Sequence, residues 1–177
     1  MAYDFADIGG PLNRDNAAGL AAEVLYAPIS HFASIQVPGV YSAAGDEVKI
    51  TGDHTFDAGK GFVKLKFVID SHGLTAAMPE SRDASGYMAT LEGDVVAGSE
   101  EEIAEVLRNL LTDDVLVLVK TANGKYIQLG TEDFPAAIRQ TEDTTGSSAE
   151  GQNKQRVQIK ANQPKKLFYS GTITLKP

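Results

Sequence analysis

The side chains of this sequence most able to move a proton near neutral pH are three histidines, His31, His54 and His72. Ser30 and His31 are adjacent, so on a strand they point to opposite faces and the imidazole cannot serve the hydroxyl. Asp53, His54 and Asp57 could gather around a metal ion. They lack a defined ligand spacing such as H-x-x-x-H, and a solvated polar loop accounts for them better. Ala58-Gly59-Lys60-Gly61 approaches a phosphate loop but fails it. The first glycine of G-x-x-x-x-G-K-[ST] would fall at His54, Gly61 stands where Ser or Thr is needed, and a strand follows rather than a helix. Both glycines are better explained as turn residues. Glu100, Glu101 and Glu102 are successive helix positions that diverge by about 100°, so they do not converge as catalytic carboxylates. Tyr126, Phe168 and Tyr169 could form a base-stacking platform on a β-surface. No basic groove is evident around them, and packing in a core or interface is the preferred reading. The chain has no cysteine, which removes thiolate zinc sites, cysteine nucleophiles and disulfides. No catalytic residue, no cofactor and no metal site is expected, and the chain reads as non-enzymatic.

The elements that must hold these residues centre on residues 91–130. Ser99 suits an N-cap and Glu102 completes a capping box. Ile103, Val106, Leu107, Leu110 and Leu111 then form one apolar face, so a helix is expected over about 99–111. Val115 to Val119 is an apolar run, too short and too β-branched for a second helix. Asn123-Gly124 suits a type I′ turn, and Tyr126 to Leu129 returns as a strand. Upstream, Pro28 interrupts residues 23–37 and predicts an edge strand, a bulge or two short strands. Residues 47–51 and 62–70 read as strands, and residues 62–96 as one large hairpin with a protruding loop at about 71–86. A second loop is expected at about 139–154. Arg156 to Ala161 alternates, and residues 167–175 close the chain as a strand in which Gly171 marks a bulge. The fold class expected is mainly β: a β-sandwich or barrel of antiparallel strands with one flanking α-helix, long loops and an N-terminal arm over residues 1–22. Residues 23–177 form the single β-rich domain.

The 177 residues are 42% hydrophobic, enough for a core, and no apolar stretch approaches the roughly 18 residues of a membrane span. The first ten residues contain Asp4 and Asp7 and no basic segment, unlike a secretory signal. The net charge of −8 argues against a nucleic-acid reader that grips phosphates. The charge is uneven. Residues 151–177 hold six of the 16 basic residues and none of the 24 acidic ones. That asymmetry is compatible with chance, with pairing inside the chain, or with attraction of a second copy.

Several features occur together in order. A strand returns from a long loop as Y-M-A-T-L-E-G-D-V-V-A-G; the acidic-capped helix S-E-E-E-I-A-E-V-L-R-N-L-L follows; then come the V-L-V-L-V-K-T-A-N-G-K-Y-I-Q-L-G hairpin, T-E-D-F-P-A-A-I, a polar Ser/Thr/Gly stretch, and two terminal strands that include L-F-Y-S-G-T-I. This order, over roughly residues 61–175, resembles structural proteins of tailed bacteriophages, most of all the tail tube family that also includes inner-tube proteins of contractile injection systems. The resemblance implies subunits joined edge to edge into a ring, usually a hexamer, with rings stacked into a hollow tube that conducts DNA. The expected partners are copies of the chain itself, other virion proteins, and DNA as non-specific cargo. The expected location is the virion, assembled in the bacterial host cytoplasm. Candidate subunit-interface residues are Lys154, Arg156, Lys160, Lys165 and Lys166 on the basic side, with Asp53, Asp57, Glu80 and Arg82. The alternatives are a terminator, baseplate ring or decoration protein, a β-sandwich binding or adhesion module, and an enzyme using the Asp53/His54/Asp57 loop.

Overall fold

The computed structural model describes residues 19–40, 43, 45–78, 86–96, 100–144 and 154–177, with side chains at 96, 100, 102–104 and 140–144 left aside. The chain is mainly β, with about half its residues in strands, one short helix and no closed barrel; a sandwich-like fold fits it. The strands are β1 (Leu20–Pro28), β2 (Phe32–Ser34), β3 (Lys49–Ile50), β4 (Thr55–Phe56), β5 (Val63–Lys66), β6 (Gly73–Ala77), β7 (Tyr87–Val96), β8 (Val115–Thr121), β9 (Tyr126–Leu129), β10 (Ala136–Thr144), β11 (Lys154–Gln163) and β12 (Leu167–Tyr169). The helix, α1, spans Glu100–Leu110.

Everything is built around β8. It pairs with β9 on one side and with β1 on the other, and β1 pairs in turn with β5. The half-sheet therefore runs β3-β12-β9-β8-β1-β5. At Val115 the ladder passes to Ala136, and β10 leads into a second half, β10-β11-β7-β6. Side chains of alternate parity on β8 enter different cores. Val115, Val117 and Val119 meet Ile138, Ile159, Leu91 and Leu107 between the two halves. Leu116 and Leu118 meet Leu25, Ile50, Phe62 and Tyr169 on the far side, under the small β2–β4 ribbon. A strand buried on both faces has no polar side, which is why the Val115–Val119 run shows no alternation. Each such side chain contributes about 1.5–3 kcal/mol by leaving water.

Several expectations need correction. Residues 62–96 are not one hairpin. β5 pairs with β1, while β7 pairs with β6, a strand inside the expected loop at 71–86. Phe67 N–H still bonds Ala22 O, but the next N–H, of Val68, bonds Asp94 O, so the chain changes halves there. β1 takes Leu20, Ala21 and Ala22 out of the expected arm; residues 1–18 lie outside the described residues. β1 is also no edge. Pro28 is its last residue, beyond the reach of β5, so its missing N–H leaves no gap in the ladder. β10 runs to Thr144 against β11, which shortens the loop expected at 139–154. The terminal strand ends at Tyr169, and the chain bends back to bridge Leu175 to Phe62.

The hairpin turn also differs. Gly124 has φ +77° and Asn123 has no positive φ, so a type I′ turn is ruled out. Gly124 N–H bonds Thr121 O and Thr121 N–H bonds Lys125 O, a three-residue loop with a glycine bulge. On α1, Leu107 and Leu110 are buried whereas Val106 is exposed, as is Leu111 just past the helix end, so the apolar stripe is narrower than expected. Ser99 and the side chains of Glu102 and Ile103 lie outside the described set.

Candidate functional site

His54 is a core residue. It is 3% exposed, and both ring nitrogens are engaged. Nδ1 accepts from Gln36 N–H at 3.0 Å, so the ring proton sits on Nε2, which donates to Gln128 Oε1 at 3.0 Å. The ring stacks on Tyr169, with centroids 4.4 Å apart and planes 10° apart, and Phe32 meets it edge-on. His54 N–H donates to the Tyr169 hydroxyl, which itself donates to Thr172 O. The network continues through Gln128 Nε2 to Gly130 O, while Gly130 N–H donates to Gln163 Oε1 and Gln163 Nε2 to Gln128 O. Burial lowers the His54 pKa below its ordinary value of 6.5, with the Gln128 hydrogen bond and Asp53 acting the other way. An imidazole with both nitrogens occupied inside a core is a structural group. It is closed to metal and to substrate.

The neighbouring acids do not join it. Asp53 is exposed, and its Oδ1 accepts from Thr172 N–H at 2.6 Å. Asp57 is also exposed and belongs to a turn in which Lys60 N–H bonds Asp57 O. Among the described residues no three His, Asp or Glu side chains are grouped to hold a metal ion. In Ala58-Gly59-Lys60-Gly61 the glycines serve two ends. Gly59 has φ +74°, and a Cβ on Gly61 would lie 2.5 Å from the Leu175 backbone, where the C-terminal segment crosses.

The candidate interface residues fall in separate places. Lys154, Arg156 and Lys160 lie on β11, with Arg156 and Lys160 exposed. Arg156 reaches Glu92 at 3.5 Å on neighbouring β7, and Gln158 donates to the same carboxylate. Lys165 reaches Glu47 at 3.4 Å. Part of the charge asymmetry is thus met inside the chain, by exposed pairs worth about 0–1 kcal/mol each. Glu80 and Arg82 lie outside the described residues.

One feature was missed from sequence, and a second was considered there and set aside. The first is the edge strand β6, Gly-Leu-Thr-Ala-Ala. It has no charge and no proline, and only Leu74 is half-buried. Among the described residues the other ends of this larger sheet are guarded: β5 presents Lys64 and Lys66, with Lys64 paired to Glu23 at 3.1 Å, and β3 has two residues. Alternation in G-L-T-A-A is weak, which hid β6 in a presumed loop.

The second is a basic aromatic cleft of about 670 Å³ beside β3, β9 and β12, lined by Lys49, Lys125, Tyr126 and Phe168 among others. Lys166 Nζ lies 5.3 Å and Lys125 Nζ 6.0 Å from the Phe168 ring centroid, and Lys120 Nζ lies 5.8 Å from that of Tyr126. Lys49 stands opposite Phe168 in register. The expectation that no basic groove surrounds these rings is therefore overturned. The signal was partly readable: Lys166 and Phe168 share a strand face at i, i+2, and the hairpin sets Lys120 opposite Tyr126. Lys49 arrives only through the non-local parallel pairing of β3 with β12. Tyr169, the third ring of the expected platform, is buried against His54.

Among the described residues no helix is long and apolar enough to cross a membrane. No protein-family model, no curated protein and no solved structure matches the chain.

Proposed function

We propose that the chain is a non-enzymatic structural protein that joins copies of itself edge to edge into rings, and that the rings stack as the tail tube of a bacteriophage virion. The observation that carries the reading is β6. An exposed, uncharged edge strand offers a row of backbone donors and acceptors to another chain, a hazard that monomeric proteins block. The opposite edges carry lysines or are very short, so β6 meets a different surface on the next copy. Such a heterologous contact closes into a ring or continues as a filament. The tube itself rests on the resemblance of the ordered segments. Under this reading the protein is assembled in the bacterial cytoplasm, its other partners are further virion proteins, and DNA is cargo.

A second reading, a monomeric β-sandwich binding module, is favoured by the basic aromatic cleft, whose volume lies within the roughly 300–1,000 Å³ of small-molecule sites. Sedimentation velocity and negative-stain micrographs of the purified protein separate the two. Rings or tubes are expected. A strictly monomeric species at high concentration overturns the structural reading and leaves the module.

A further inference from the structure

The cleft gathers positive charge in a chain whose net charge is −8. Two lysines line it, Lys49 on β3 and Lys125 in the β8–β9 turn, and Lys166, just before β12, lies over the Phe168 ring beside them. Among the described residues no acid lines it. Near it in sequence, Asp46 Oδ2 accepts from Ala43 N–H at 2.7 Å and Glu47 pairs with Lys165. None of these three lysines forms an ion pair among the described residues. Two ammonium groups over one phenyl ring are each attracted to its face and repel one another. An anion set between them removes that repulsion. Phe168 is half-buried and anchored against the core between the two halves, on the same sheet face as Lys49 and opposite to Tyr126.

We propose that this cleft binds a nucleotide unit, a phosphate carried beside an aromatic base, either free or within a single strand of nucleic acid. Lys125 and Lys166 would take the phosphate, and Phe168 would take the base. Joining a cationic rim to ring surface is how sequence-tolerant single-strand sites work. Duplex DNA is disfavoured because its bases are stacked away, and the acidic body repels a long polyanion. The proposal holds for a ring subunit and for a monomeric module alike, so its failure leaves the assembly reading untouched.

Fluorescence anisotropy with a labelled oligo-dT of about 12 nucleotides, competed by dTMP, inorganic phosphate or a duplex of equal length, tests it. The oligonucleotide and dTMP are expected to bind, with phosphate and duplex at least about tenfold weaker. A much tighter oligonucleotide identifies the strand as the source; equal affinity identifies the free nucleotide. Affinity falls with salt at a logarithmic slope of about −2 if three phosphates are contacted. K125E/K166E, shown folded by circular dichroism, weakens binding at least about tenfold, while K60E, a lysine outside the cleft, leaves it unchanged. Phe168→Leu weakens the oligonucleotide and dTMP without affecting phosphate. Absence of oligonucleotide and dTMP binding at about 50 mM salt, equal affinity of phosphate and dTMP, or indifference to K125E/K166E overturns the proposal.

Discussion

At the scale of single residues, His54 ties the stability of the core to pH. Replacing it by leucine keeps an apolar volume but leaves Gln128 Oε1 and Gln36 N–H without their partner in and around the core. An unmet buried group costs about 1–3 kcal/mol, so His54→Leu is expected to lower stability by about 2–5 kcal/mol in urea unfolding. The pH dependence has a definite sign. Burial holds the folded His54 below 6.5, so between 6.5 and the lower folded value the unfolded chain binds a proton that the folded chain does not. This contribution is fully present above the unfolded pKa and is lost as pH falls through that window. His31 is lowered too, by desolvation and then by Lys60 and Lys176, and adds the same sign. The urea midpoint should therefore be flat well above the ordinary histidine pKa of 6.5 and should start to drop as the pH falls through it. In His54→Leu the drop should be shallower; equal slopes in the two proteins would remove His54 as its source.

At the scale of elements, β6 is the strand whose substitution should change association while leaving the fold alone. Thr75 and Ala77 are exposed on it and lie opposite Thr90 and Met88 of β7. Thr75→Lys with Ala77→Lys gives this edge the charge that β5 already carries, and lysine is the usual guard of a free edge. The double variant should sediment as a monomer, with a melting temperature within a few degrees of the parent, since exposed changes stay within about 0.5 kcal/mol. Persistence of the parent's oligomer would exclude β6 as the joint. Elements whose signal is local were legible in the sequence. The helix announced itself through Leu107 and Leu110, and the β8–β9 hairpin through its apolar run and Asn123-Gly124. Pairings between distant segments were not. Nothing near Val63 says that its partner is Tyr26, and nothing near His54 says that Tyr169 and Gln128 enclose it. His54 looked solvated because Asp53 and Asp57 are; its burial is set by strands more than 70 residues away. The basic cleft was hidden for the same reason, because its lysines form no run along the chain and meet only when β3, β9 and β12 align.

At the scale of the whole molecule, the sheet is sewn from its two ends. β1 near the start and β12 near the finish both enter the half-sheet around β8, and the last residues return along Phe62. Phe62 N–H bonds Thr174 O and Lys176 N–H bonds Phe62 O, while Ser170 N–H bonds Ile50 O. The second core therefore cannot close until residues 167–175 have arrived, because Leu167 and Tyr169 are part of it and Ile173 packs on it. Losing Leu167 and Tyr169 alone removes about 1.5–3 kcal/mol each. It also exposes the face of His54 that Tyr169 covers and the outer edge of β9. Against a typical total of about 5–15 kcal/mol, that loss is comparable to the stability of the domain. A chain ending at Lys166 is expected to lose its cooperative thermal transition and its near-ultraviolet circular dichroism, not merely to melt a few degrees lower. Because β1–β8 and β3–β12 join residues about 90 to 120 positions apart, refolding of the intact chain should take milliseconds to seconds rather than microseconds. A truncated chain that still unfolds in one sharp transition would show that the core around Val117 folds on its own, and that the C-terminal segment is an attachment to a finished sandwich.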